Sequence, residues 1–173
     1  RSLPAEVALD SGTRVSIDRS TVNLIYSFFG LRVITGSGMM DIFLAAPLFS
    51  KSERDFNEKV AKELRNAGFN VWMAQEAPFI KEGTDEEKRS IYEGDTAALK
   101  KSDVVVAALD GIDVEAGVAF EIGYAAALGK PIIGLKTDYR TFSRVENVNL
   151  MLELSMRGIY SSTREVIEAL RSV

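Results

Sequence analysis

Four acidic residues crowd one short stretch of this chain: Asp110, Asp113, Glu115 and Glu121. The first three fall in a loop after the apolar run 103–109, and Glu121 falls inside the helix expected next. Glu121 is flanked by Ala119, Phe120, Ile122 and Gly123. A carboxylate in such company is costly to bury unless something compensates it. Acidic groups at the carboxyl end of a strand stand where open α/β sheets hold ligands. Free N–H groups at a helix N-terminus favour an anion there. An ionised carboxylate held in a pocket is a competent nucleophile toward an electrophilic sugar carbon. The plainer reading of Glu121 is an exposed residue on a solvated helix face. Glu115 precedes it closely enough for both to face one cavity, and crowded like charges raise the pKa of one member. Asp110 also reads as loop solvation, and Asp113 reads as structural. Asp95, taken alone, reads as one more surface acid beside Asp85, Glu86, Glu87 and Glu93.

Composition narrows the chemistry. The chain has no histidine and no cysteine, so the usual neutral-pH base and thiolate chemistry are both missing. An acid–base catalyst must then be Asp, Glu, Tyr or Lys; no cofactor and no metal are expected, and no Gly-rich phosphate loop or dinucleotide fingerprint is present. The formal net charge is −4 and the basic residues are dispersed, which argues against nucleic acid as a partner. No apolar run approaches the ~20 residues that span a bilayer, and no signal-peptide pattern follows residues 21–35. The expectation is a cytoplasmic protein with no membrane partner.

These residues need elements to position them. From residue 41 onward, apolar periodicity alternates between strand and helix. Strands are expected at 42–46, 69–74, 103–109, 131–136 and 158–160. Helices are expected at 52–66, 85–101, 117–128, 147–156 and 163–172. Buried strands alternating with helices imply a flavodoxin-like α/β three-layer sandwich, with a mostly parallel five-stranded sheet and helices on both faces. The spacing leaves the strand order open. Residues 1–38 break the pattern: a hairpin around Ser11-Gly12 and a strand-like stretch at 21–35 are expected. They read as an N-terminal β extension, or as sequence added ahead of a natural start at Met39-Met40, leaving 39–173 as the main domain. Ala45 and its neighbours after the first strand must floor or wall a site at that sheet edge. Ser50, Ser52 and Arg54 could bind an anion, although helix capping by Ser50 or Ser52 is the simpler reading.

Three signatures resemble the nucleoside 2-deoxyribosyltransferase family: Ile42-Phe-Leu-Ala-Ala-Pro-Leu-Phe49, then Glu115-Ala-Gly-Val-Ala-Phe-Glu-Ile-Gly-Tyr-Ala125 with Gly129-Lys-Pro131, and Asn149-Leu-Met151. The resemblance implies Glu121 as the nucleophile that attacks C1′ of a 2′-deoxynucleoside. Asp95 and Glu115 would manage the proton of the base, so the catalytic set is Glu121, Asp95 and Glu115. It further implies that Gln75 reads the base edge and that Asn149 and Met151 complete a neighbouring subunit's sugar pocket. The substrate-binding set expected is Phe43, Ala45, Gln75, Asp95, Glu115, Gly117, Asn149 and Met151. The partners implied are 2-deoxynucleosides and free nucleobases in nucleoside salvage, handled by a homo-oligomer built from dimers and reaching a hexamer. Two departures stand out: Glu115 replaces a frequent Asp, and Phe43 replaces a tyrosine whose hydroxyl orients the nucleophile. Tyr92 or Tyr124 could supply another donor.

Two other functions compete. One is hydrolysis of deoxynucleoside 5′-monophosphates, with Ser50, Ser52 and Arg54 as the phosphate cradle. The other is nucleotide binding without catalysis.

Overall fold

The computed structural model describes residues 5–8, 14–17, 39–77 and 80–173. The chain divides into two units, Arg1–Gly38 and Met39–Val173. In the first, strands β1 (Ala5–Ala8) and β2 (Arg14–Ile17) pair antiparallel, with Ala5 opposite Ile17 and Ala8 opposite Arg14. The expected turn at Ser11-Gly12 and the stretch 21–35 lie outside the described residues.

The second unit follows the alternation legible in the sequence. Strand β3 (Asp41–Ala45) leads to helix α1 (Lys51–Asn66), then to β4 (Asn70–Met73) and a single 3₁₀ turn (Ala74–Glu76). Helix α2 (Asp85–Lys101), β5 (Val104–Ala108), α3 (Ala116–Ala127) and β6 (Ile132–Leu135) come next. A short α4 (Leu150–Glu153), β7 (Gly158–Tyr160) and α5 (Thr163–Leu170) close the chain. The five strands run in the order β4-β3-β5-β6-β7, and every neighbouring pair is parallel.

Alternate residues of each strand enter opposite cores. Ile42, Leu44, Val104 and Val106 pack with Val60 and Leu64 of α1 and Val166 and Leu170 of α5. Phe43, Ala45, Val105 and Ala107 pack with Leu99 of α2 and Val118, Ile122 and Ala125 of α3. The architecture is therefore three layers, with α1 and α5 on one face of the sheet and α2 and α3 on the other. Among the described residues no helix is long and apolar enough to cross a membrane.

Local chemistry sets the helix starts. Ser50 and Glu53 form a reciprocal capping box on α1: Glu53 N donates to Ser50 Oγ at 3.2 Å, and Ser50 N donates to Glu53 Oε2 at 2.6 Å. Thr84 caps α2 by accepting from Glu87 N. The helix expected over 147–156 is confined to four residues, because Asn149 caps its first turn and Ser155 Oγ turns back onto Met151 O.

The strand order creates the site. The chain leaves β3 toward β4 on one side, then crosses back through α2 to β5 on the other. Loops at the carboxyl ends of β3 and β5 consequently part in opposite directions, and the crevice between them is the usual ligand position in an open α/β sheet.

Candidate active site

Glu121 sits on α3 where that helix faces α2, and Asp95 faces it from α2. The two carboxylates line a small cavity of about 120 Å³ together with Tyr92, Thr96, Leu99, Gly117 and Phe120. The ring of Phe120 lies 6.1 Å from that of Tyr92 and 5.8 Å from that of Tyr124, nearly parallel to the latter. Tyr92 and Phe120 remain 56% and 49% exposed, which leaves aromatic surface open beside the acids. Such surface suits the flat face of a heterocycle.

Electrostatics single out Glu121. Burial, then the charge of Asp95, then that of Glu115, push its carboxyl up from the ordinary 4.5 to about 8. Burial also raises Asp95. A group of acids in one low-dielectric space cannot all ionise near neutrality, so the cluster retains a proton there.

Glu115 does two things at once. It is the N-cap of α3, its Oε2 accepting from Gly117 N at 2.8 Å and Val118 N at 3.1 Å. Gly117 leaves room for this cap, since a Cβ there would stand 2.9 Å from Glu115 Oε2. Glu115 also lines a second, larger cleft of about 640 Å³, shared with Pro47, Ser50, Ser52, Glu53, Asp110, Asp113 and Arg140. Glu115 and Gly117, two residues apart, thus border the two cavities at the N-terminal turn of α3. Among the described residues no group of three or more acidic side chains is placed to hold a metal ion.

The remaining expected residues are spread more widely. Phe43 and Ala45 are fully buried in the core between the sheet and α2 and α3, with Phe43 stacked on Trp72 at 4.7 Å. Neither borders the two cavities. Gln75 has both amide atoms engaged: Oε1 accepts from Asn57 Nδ2 at 2.9 Å and Nε2 donates to Arg54 O at 3.2 Å. Asn149 lies against the loop 111–114, and its Oδ1 accepts from Met151 N. Met151 is 70% exposed. Within one chain, then, the acids Asp95 and Glu121 share a cavity while Asn149 and Met151 stand away from it. Arg54 Nη1 donates to Leu48 O, tying down the loop after β3.

Sequence reasoning missed Asn57, whose Nδ2 donates to Pro47 O and Gln75 Oε1 and so braces the loop beneath the larger cleft. Its signal was available, because Asn57 occupies the buried stripe of α1 with Val60, Ala61 and Leu64. The aromatic rim of Tyr92 and Phe120 carried no such signal.

The family's sequence model, described as Nucleoside 2-deoxyribosyltransferase, matches residues 42–156. The chain belongs to the nucleoside 2-deoxyribosyltransferase family. Over 148 residues it is 32% identical to a protein of Thermofilum pendens (strain DSM 2475 / Hrk 5) assigned as 2′-deoxynucleoside 5′-phosphate N-hydrolase 1, covering 78% of this chain and 94% of that one. Among solved structures, a conserved protein from Enterococcus faecalis V583 is similar at TM-score 0.68 and 28% identity, over 78% of this chain and 99% of that chain. The 2-deoxyribosyltransferase of Bacillus psychrosaccharolyticus is similar at TM-score 0.64 and 25% identity, over 73% and 90%. This deoxyribosyltransferase-family chain is accordingly an enzyme of the deoxyribosyltransferase and N-glycosidase group.

Proposed function

We propose that the enzyme moves a 2-deoxyribosyl group between nucleobases by double displacement, through a covalent glycosyl-Glu121 intermediate. The observation that carries this reading is the Asp95–Glu121 cavity, in which a carboxylate and a retained proton stand together under an aromatic rim. Departure of a base from C1′ needs both: a nucleophile for the developing cation and a proton for the leaving nitrogen.

The proton balance runs through the three acids. In the empty enzyme the proton resides mainly on Glu121. Positive charge developing at C1′ favours ionised Glu121, and the proton passes by way of Asp95 to the departing base. Glu121 then closes the bond to C1′ as the C–N bond breaks. A second base attacks C1′ from the side the first one left, restores Glu121 and returns a proton to the cluster. Two inversions give net retention. Water in place of the second base gives slow hydrolysis. Asn149 and Met151 of a neighbouring subunit would complete the sugar pocket, which supports a homo-oligomer as the working form.

Charge supports a nucleoside over a 5′-monophosphate. The N–H groups of Gly117 and Val118, which would otherwise attract a phosphate, are already taken by Glu115. Four acids line the adjoining cleft, and its single lining cation, Arg140, donates its Nε to Asp138. The second reading, hydrolysis of deoxynucleoside 5′-monophosphates, draws on the Thermofilum relative and on Ser50 and Ser52 in the same cleft.

Incubation with deoxyinosine and adenine decides between them. The proposal expects deoxyadenosine to form, and Glu121→Ala to form none. Release of base from deoxyadenosine 5′-monophosphate, with no exchange in the presence of free base, would reject transfer in favour of hydrolysis.

A further inference from the structure

A partly buried ion cluster, which shares Asp110 and Arg140 with the lining of the larger cleft, clasps the loops that follow β5 and β6. Asp110, just past β5, accepts from Thr137 N and Thr137 Oγ1, both at 2.5 Å, and from Asp138 N at 3.2 Å. Asp138, just past β6, answers by accepting from Gly111 N at 2.8 Å. Each loop's carboxylate thus binds the other loop's backbone. Two carboxylates so arranged would repel one another without a cation between the loops.

Lys136 is that cation, with its side chain only 8% exposed. Its Nζ donates to Asp138 Oδ1 at 2.7 Å and reaches the carbonyls of Gly111 at 3.3 Å and Leu109 at 3.4 Å. Arg140 Nε adds a bond to Asp138 Oδ2 from the outside. Burial alone would raise the Asp138 carboxyl, but the bonds from Lys136, Arg140 and Gly111 outweigh it and hold it at about 2.

The clasped loop has little freedom between the clasp and the site. Gly111 has φ of +130°, and a Cβ there would stand 2.9 Å from Asp113 O, so this turn requires glycine. Asp113 Oδ1 then accepts from Val114 N, and Glu115 caps α3. The path from clasp to cap is six residues long, 110 to 115, and is pinned by hydrogen bonds at Asp110, Gly111, Asp113 and Glu115.

We propose that Lys136 and Asp138 are positioning residues of the active site: by clasping the loop 110–115 they hold the Glu115 carboxylate over the first turn of α3, at the junction of the two cavities. Its kinetic consequence rests on the transfer reaction proposed above, whereas its structural consequence does not.

The test is Lys136→Met in the full chain, with hydrogen exchange at the Gly117 and Val118 amides read beside kcat and KM. Misplacing a group by ~1 Å costs up to ~10²-fold, so a partial release predicts a kcat about tenfold lower, KM within about threefold, and both amides exchanging about tenfold faster. Lys136→Arg, which restores a cation at the clasp, recovers most of both effects. Unchanged exchange and kcat, with only a lower Tm, overturn the proposal. A wild-type enzyme inactive on every deoxynucleoside overturns the proposed reaction instead, and the exchange data then decide the clasp alone. Should Lys136→Met fail to fold, Thr137→Val removes only the hydroxyl bond to Asp110: faster exchange at the same amides supports the clasp, and unchanged exchange rejects it.

Discussion

Replacing Glu121 by glutamine ends the proposed chemistry yet makes the folded chain more resistant to alkali. The wild-type carboxyl is raised from 4.5 to about 8 by burial, Asp95 and Glu115. Below pH 4.5 both the folded and unfolded forms carry the proton, and glutamine mimics that neutral state. As pH rises from 4.5 to about 8 the unfolded chain loses its proton while the folded chain keeps it, so wild-type stability falls. Above about 8 the loss is complete and levels off. At ~1.4 kcal/mol per pH unit the ceiling is ~5 kcal/mol. Water at the cavity mouth screens part of this, so the expected gain of Glu121→Gln at pH 9 is ~2–4 kcal/mol. Urea denaturation of both proteins at intervals from pH 4 to 9 measures it. Curves that coincide at pH 4 and diverge toward pH 8 support the reasoning. A gap independent of pH, or one widening toward acid, would refute it. The same proton should govern catalysis in the wild type, with kcat/KM falling as pH rises past about 8 and the cluster loses the proton it gives to the departing base.

Two further outcomes follow from the geometry. Asp95→Asn should lower kcat by ~10²-fold or more with a natural base as leaving group, and far less with an electron-poor base that departs without a proton. Equal losses for both substrates would deny Asp95 its role in proton transfer. Leu150 and Met151 of α4, and Leu154 just after it, are 49%, 70% and 81% exposed, an apolar surface suited to a second copy. Met151→Asp is expected to lower the sedimenting mass and the transferase activity together; a monomer with full activity would show that the site is complete in one chain.

The alternation of strands and helices was legible because burial leaves a periodic trace. Runs such as Val104-Val105-Val106 are covered on both faces, and the stripe of α1 repeats at helical spacing. The proposed nucleophile was marked in the sequence too, since Glu121 is a charge among small and apolar neighbours, and a chain without histidine or cysteine leaves carboxylates as the main groups for the proposed chemistry. Asp95 was not, as its own sequence neighbours give it the look of a surface acid. What distinguishes it is the packing of α2 against α3, which sets it in the Glu121 cavity. Phe43 shows another case: only the resemblance placed it in the site, and in the structure it lies within β3, buried in the core and stacked on Trp72.

By itself, then, the sequence determined the kind of layers and which side chains are available for acid–base chemistry, because apolar period and side-chain chemistry are local properties. The tertiary structure decided which acids share a cavity, that Glu115 is tied to the N-terminus of α3, and that Lys136 clasps two loops far apart in sequence. Those depend on the strand order β4-β3-β5-β6-β7 and on desolvation, and neither exists until distant segments meet.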